Sequence, residues 1–116
     1  MTGNTYELTM LYDFFGELLT DKQREYFEYY FSDDLSLSEI SELTGVSRQG
    51  VRDVLVRSER LLREYEAKTG VVARFMEMSA GIRRLRADAE ALCGLTEGEA
   101  RALAERLRAG LDDLKG

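Results

Sequence analysis

The sequence predicts an all-α fold, with a helix-turn-helix domain over residues 1–70 followed by a C-terminal helical hairpin over 71–116. Three observations predict it. The chain has no proline, 44% of its residues are apolar, and runs of alternating polarity are absent, so its periodicity is helical throughout. Leu35–Arg57, LSLSEISELTGVSRQGVRDVLVR, sets a small residue, a turn glycine, an apolar plug, a helix cap and a valine face at the offsets of a helix-turn-helix. Beyond Gly70, the residues Val71, Phe75, Met78, Ile82, Leu85, Ala89 and Leu92 step alternately by four and three, which is a heptad seam. A chain of 116 residues can bury a modest core, enough for one compact unit with an appendage.

The first helix is expected over 6–19, where Leu8, Leu11, Phe15, Leu18 and Leu19 recur at helical spacing and Gly16 lies near the end. Thr20 and Gln23 then form a capping box that opens a second helix over 21–31, with Phe27, Tyr30 and Phe31 on its apolar face. Most of the aromatic residues lie between Tyr6 and Phe31. At helical spacing in a small domain they read as core and rim rather than as a platform for unpaired bases. Asp33 and Asp34 fall in the loop that follows.

A second capping box, Ser36 with Glu39, opens the third helix over 37–44, whose apolar face is expected to carry Leu37, Ile40 and Leu43, with Ser41 small where another helix passes. Gly45 sits where the chain must leave that helix through a left-handed conformation. Val46 plugs the turn, Ser47 caps the fourth helix over 48–66, and Val51, Val54 and Leu55 pack that helix back on the third. A fifth helix over 71–92 carries the heptad seam and is weakened at Gly81 by about 1 kcal/mol relative to alanine. Gly94 is expected to end it. Thr96 with Glu99 suggests a third capping box for a last helix through about Leu114, presenting Ala100, Leu103, Leu107, Leu111 and Leu114. The hairpin has two apolar stripes, which need cover from the core or from a second subunit. For a homodimer, the candidate contact residues are Phe75, Met78, Ile82 and Leu85.

Charge is unevenly placed. Residues 1–46 hold two basic and ten acidic side chains, residues 47–70 hold six and four, and residues 71–116 hold eight of each, for a net charge of -6. The long-range field of such a chain does not draw it to phosphate, so nucleic-acid binding would need a segregated basic stripe. The fourth helix offers one. Winding Arg48–Glu66 at about 100° per residue sets Val51, Val54, Leu55, Leu61, Leu62 and Tyr65 on one side. Gln49, Arg52, Val56, Arg60 and Arg63 fall on the other, with Arg48 and Arg57 at the margins. Arginine and glutamine read guanine and adenine edges, and Ser47 and Arg48 at a helix start suit phosphate. Asp53 on this face opposes phosphate unless it pairs with Arg57 four residues on.

Catalysis finds little support, and the chain is expected not to be an enzyme. There is no histidine, a single cysteine and no glycine-rich phosphate loop, so no catalytic residue, metal site or cofactor is expected. Asp112 and Asp113 fit a fraying helix end, and Cys93 reads as a small packed residue. Residues near Met1 show no basic region followed by an apolar stretch, and nowhere do about 18 apolar residues run together. Secretion and membrane insertion are therefore not expected, and the lone Cys93 makes a reduced cytoplasmic setting the expectation.

The run LLTDKQREYFEYYFSDDLSLSEISELTGVSRQGVRDVLVRSERLLREYEAKTG resembles the YlxM family of small helix-turn-helix proteins associated with the bacterial signal recognition particle. FFGELLTDKQREYFEYYF before the motif and RSERLLREYEAKTG after it make the likeness more specific than a bare helix-turn-helix. LTDKQREYFEYYF with LSLSEISELTGVS is also similar to the promoter-reading region 4 of sigma factors, which supplies a fold analogy. The YlxM resemblance implies a non-enzymatic accessory or regulator of co-translational protein targeting. Its partners would be the particle's GTPase, its RNA, or both. The resemblance carries Ser47, Arg48, Gln49, Arg52 and Arg57 over as nucleic-acid contacts. The alternative is a sequence-specific regulator of transcription acting on duplex DNA.

Overall fold

A computed structural model of the chain describes residues 5–114. Among them are six α-helices and no strand, and the chain divides into two compact units, one through Val72 and one from Ala73 onward.

In the first unit, α1 (Thr5–Phe15) leads through a 3-10 turn at Gly16–Leu18 to α2 (Asp21–Phe27), which widens into a π turn at Glu28–Ser32. Then follow α3 (Leu37–Thr44) and α4 (Arg48–Thr69). Helix α4 packs on α1, α2 and α3, so its inner side closes two apolar clusters. Leu8, Leu11, Phe15, Leu19, Phe27, Leu62 and Val72 form one; Tyr26, Ile40, Val51 and Leu55 form the other. The aromatics are core and rim, as their spacing implied, with Phe15, Tyr26 and Phe27 buried and Tyr6 and Phe14 exposed: Tyr12 stacks on Phe27 at 4.4 Å, and Phe27 meets Phe31 at 4.5 Å. Glu7 accepts a hydrogen bond from Arg63 at 2.9 Å, tying α1 to α4.

Two capping boxes form as the sequence implies. The hydroxyls of Thr20 and Ser36 accept the backbone N–H groups of Gln23 and Glu39, whose side chains accept the cap N–H groups in return. Gly45 is left-handed at φ 77°. Other expectations fail for local reasons. Helix α1 stops at Phe15 instead of 19, and Gly16 lies so close to Tyr12 that a Cβ there would stand 3.0 Å from its ring. The chain tightens, with Leu19 N–H bonded to the Gly16 carbonyl, and Leu18 turns out to 62% exposure while Leu19 is buried. Leu43 is 59% exposed, because α3 meets α4 along the wholly buried Ile40, and Leu43 lies to the side. Helix α4 runs three residues past the expected 66 to Thr69, where left-handed Gly70 donates to the Glu66 carbonyl.

The second unit is a helical hairpin. Helix α5 (Val71–Leu95) begins within the first unit and continues through the second, where α6 (Gly98–Asp113) returns. Ala89 and Cys93 on α5 and Ala104 on α6 are its buried residues, and Arg86 Nε lies 2.6 Å from Asp112 Oδ1 as an ion pair whose contacting atoms are covered while both side chains stay partly exposed. Asp112 therefore joins the two helices and is no frayed end. Gly94 does not end α5, which runs on to Leu95 with Gly94 helical. The third capping box is absent. Thr96 donates its hydroxyl to the Leu92 carbonyl, finishing α5, and extended Glu97 precedes α6 with no side-chain cap. Bonded to the helix behind it, the hydroxyl does not cap the helix ahead. Leu103, Leu107 and Leu114 are exposed and Leu111 half-buried, since α6 turns Ala104 inward instead of its leucine row.

Candidate nucleic-acid interface

The interface is built where α3 hands over to α4. Ile40 and Val51, both wholly buried, press the two helices together, and half-buried Val46 plugs the corner between them. The approach is close. A Cβ on Gly50 would stand 2.7 Å from Val46 Cγ1, so the first turn of α4 admits the plug only because position 50 has no side chain. The Ser47 hydroxyl accepts the Gly50 N–H at 3.0 Å and caps α4, as its place in the sequence implied. Gly50 went unremarked in the sequence. A small residue three positions after a cap was the signal that could have found it.

The first turn of α4 holds no acidic side chain, and its amide dipoles, with Arg48, make the helix start electropositive. Arg48, Gln49, Arg52 and Arg57 are all exposed on α4, together with Arg60. Among the described residues no ion pair engages Arg48, Arg52, Arg57 or Arg60, whereas Arg63 is committed to Glu7. Arg63 therefore leaves the candidate stripe. Asp53 does not pair with Arg57. Its Oδ1 accepts the Gln49 side-chain amide at 3.0 Å, because glutamine at i−4 reaches it in a relaxed helical geometry. That bond engages Gln49, the side chain expected to read adenine, with a neighbour on its own helix. Half-buried Val56 lies between the arginines.

Phe75 and Ile82, on the other candidate surface, are half-buried, while Met78 and Leu85 are 63% and 57% exposed. Among the described residues no group of three or more histidine, cysteine, aspartate or glutamate side chains could hold a metal ion. None of their helices is long and apolar enough to cross a membrane.

A capped helix pair joined by a left-handed glycine and an apolar plug, with arginines on the outer face of its second helix, defines a helix-turn-helix protein of the kind associated with DNA binding. The chain belongs to the family described as "Putative helix-turn-helix protein, YlxM / p13 like" (UPF0122), whose profile it matches over residues 2–91. It is 53% identical over 79 residues to a UPF0122 protein of Caldanaerobacter subterraneus subsp. tengcongensis, covering 68% of each chain. A relative from Thermoanaerobacter sp. strain X514 is 58% identical over 71 residues, 61% of each chain. One from Halalkalibacterium halodurans is 43% identical over 86 residues, 74% of this chain and 79% of its own. The match thus spans about three fifths to four fifths of these relatives, and the family profile ends inside α5.

Proposed function

We propose that this protein is a non-enzymatic helix-turn-helix accessory of the signal recognition particle pathway that contacts nucleic acid through the start and outer face of α4. The observation that carries the contact is the set Arg48, Arg52 and Arg57, exposed on one helix behind a capped N-terminus with no ion pair among the described residues. Free guanidinium groups lose no intramolecular partner when they meet phosphate, and each neutralised phosphate releases counterions. Ser47 and Arg48 meet backbone, Arg52 and Arg57 flank them, and Gln49 reads a base edge only after leaving Asp53. The particle's RNA, if it is the polymer, is gripped by its backbone or loops, since the A-form major groove excludes a helix. The assignment to the targeting pathway rests on the resemblance of residues 10–70 to the YlxM family, with the particle's GTPase as protein partner and the cytoplasm as setting.

A second reading is a sequence-specific transcriptional regulator acting on duplex DNA, favoured by the same arginines on a helix of groove-reading geometry. The full chain titrated against duplex DNA, the particle's RNA and its GTPase, each over a range of salt, separates the readings. Arg48→Ala and Arg52→Ala are each expected to weaken nucleic-acid binding and flatten its salt slope by about one counterion. Asp53→Asn should strengthen binding by removing a like charge from phosphate. Unchanged nucleic-acid binding in all three variants sinks the interface, and an altered GTPase rate alongside it reassigns the face to a protein contact.

A further inference from the structure

The hairpin leaves one apolar face open. On α5 the buried line runs through Ala89 and Cys93 beside half-buried Ile82 and Arg86; on α6 it runs through Ala104 beside half-buried Arg108 and Asp112. Leu85 and Leu92 of α5 and Leu103, Leu107 and Leu114 of α6 stay between 44% and 65% exposed. At about 100° per residue, the exposed leucines of α5 lie roughly 80° to the N-terminal-turn sense of its buried line, and those of α6 roughly 100° in the same sense. The helices are antiparallel, since a short link joins Leu95 to Gly98 and Arg86, well before the end of α5, meets Asp112 beside the end of α6. An equal rotational sense on antiparallel helices carries both rows to the same side. The five leucines therefore form one face. Half-buried Leu111 lies along it, and Gly110 leaves a groove where an added Cβ would meet nothing within 4 Å.

We propose that this face closes on the same face of a second copy of the chain, making a two-fold four-helix bundle. The spacing of the leucines is self-complementary. The Arg86–Asp112 contact, with Cys93 and Ala104 both buried nearer the turn, places Arg86 and Asp112 at about the same height along the hairpin. The point midway between Leu85 and Leu92 is then level, to within about one residue or ~1.5 Å, with the points midway between Leu103 and Leu114 and between Leu107 and Leu111. A two-fold axis across the hairpin at that height sets Leu85 against Leu92 of the partner subunit. The same axis sets Leu103 against Leu114 of the partner subunit, and Leu107 against Leu111 of the partner subunit. One axis satisfying both helices is what an isologous contact demands and what an unrelated partner does not need.

Charge agrees. Residues 71–116 hold eight basic and eight acidic side chains, so two hairpins meet without net repulsion, whereas residues 1–46, at -8, would repel their copy. Area agrees as well. Five leucines present on the order of 500 Å² of apolar surface, toward the top of the ~300–600 Å² patch of a monomer and most of the ~800 Å² each partner gives a stable interface. The face keeps Leu85 from the row expected from sequence and replaces Phe75, Met78 and Ile82 with Leu92 and leucines of α6. It does not rest on nucleic-acid binding by α4.

Sedimentation of the full chain tests it. A dimer is expected, with Leu107→Glu raising its dissociation constant at least tenfold while the helical circular dichroism and thermal transition remain. Register is read separately with Leu85→Cys and Leu92→Cys together in a Cys93→Ala background. The pair should oxidise to a covalent dimer faster than either cysteine alone, because each meets the other across the axis. A wild-type chain that sediments as a monomer overturns the proposal and leaves the face to a different partner. A dimer that survives Leu107→Glu, or crosslinking no faster in the double variant than in the singles, overturns it equally.

Discussion

Two glycines at the helix-turn-helix corner do different work, and substitution can tell them apart. Gly45 holds φ 77° with empty space around its missing side chain, so the cost of replacing it is conformational alone. Gly45→Val should lower the unfolding free energy by about 1 kcal/mol or more, measured by denaturant titration. Gly50 is an ordinary helical residue, and an alanine there would gain about 1 kcal/mol in helix propensity. Its Cβ, however, would meet Val46 at 2.7 Å. Overpacking costs about 1–3 kcal/mol, so Gly50→Ala should be net destabilising, and Val46→Ala in the same chain should recover part of the loss. A double variant no more stable than the sum of the singles predicts would show that the two side chains do not compete.

At the scale of elements, the capping boxes decide where helices begin and make one of them sensitive to acid. The Ser36 backbone N–H, then its hydroxyl, holds the Glu39 carboxyl below its ordinary range. A carboxyl whose folded value is lowered stabilises the fold fully above its unfolded value, near 4.5, and that contribution disappears as pH falls through the lowered folded value. Glu39→Gln should therefore cost stability at neutral pH and flatten the loss of stability between pH 5 and the acid end, followed by thermal melts across that window. An acid limb as steep in the variant as in the parent would mean other carboxyls dominate. The absent third box at Thr96 shows the limit of the pattern. Ser36 and Thr20 are extended cap residues, free to turn toward the helix ahead, while Thr96 bonds back to Leu92 in the helix behind it.

For the whole molecule, the first unit's core extends past the last helix of the helix-turn-helix. Val72 is buried in the cluster of Leu8, Leu11 and Leu62, and its N–H donates to Glu66 Oε1 at 2.9 Å. The junction with α5 thus contributes to the core of residues that precede it. Val72→Ala removes two buried methyl groups at about 0.8 kcal/mol each, so the melting temperature should fall by several degrees. A loss as small as that of Val71→Ala, at a 38% exposed neighbour, would show that the core ends before the junction.

The sequence alone determined the features set by neighbours along the chain. The six helices, the boxes at Thr20 and Ser36, the left-handed turn at Gly45 and the cap at Ser47 all depend on groups within a few residues of one another, so spacing suffices to place them. The family is legible for the same reason. Tertiary structure alone decided which face of each helix is covered and which charged groups are engaged. Leu18 and Leu43 lie at helical spacing but point away from the packing partner, and the α6 leucines yield their place to Ala104. Arg63 left the candidate stripe for Glu7, a residue 56 positions away. Asp53 took Gln49 rather than Arg57, since a helix offers a side chain several neighbours and only the settled rotamers choose among them. Burial and ion pairing over distance belong to the assembled chain, because periodicity says which residues share a face but not what lies against it.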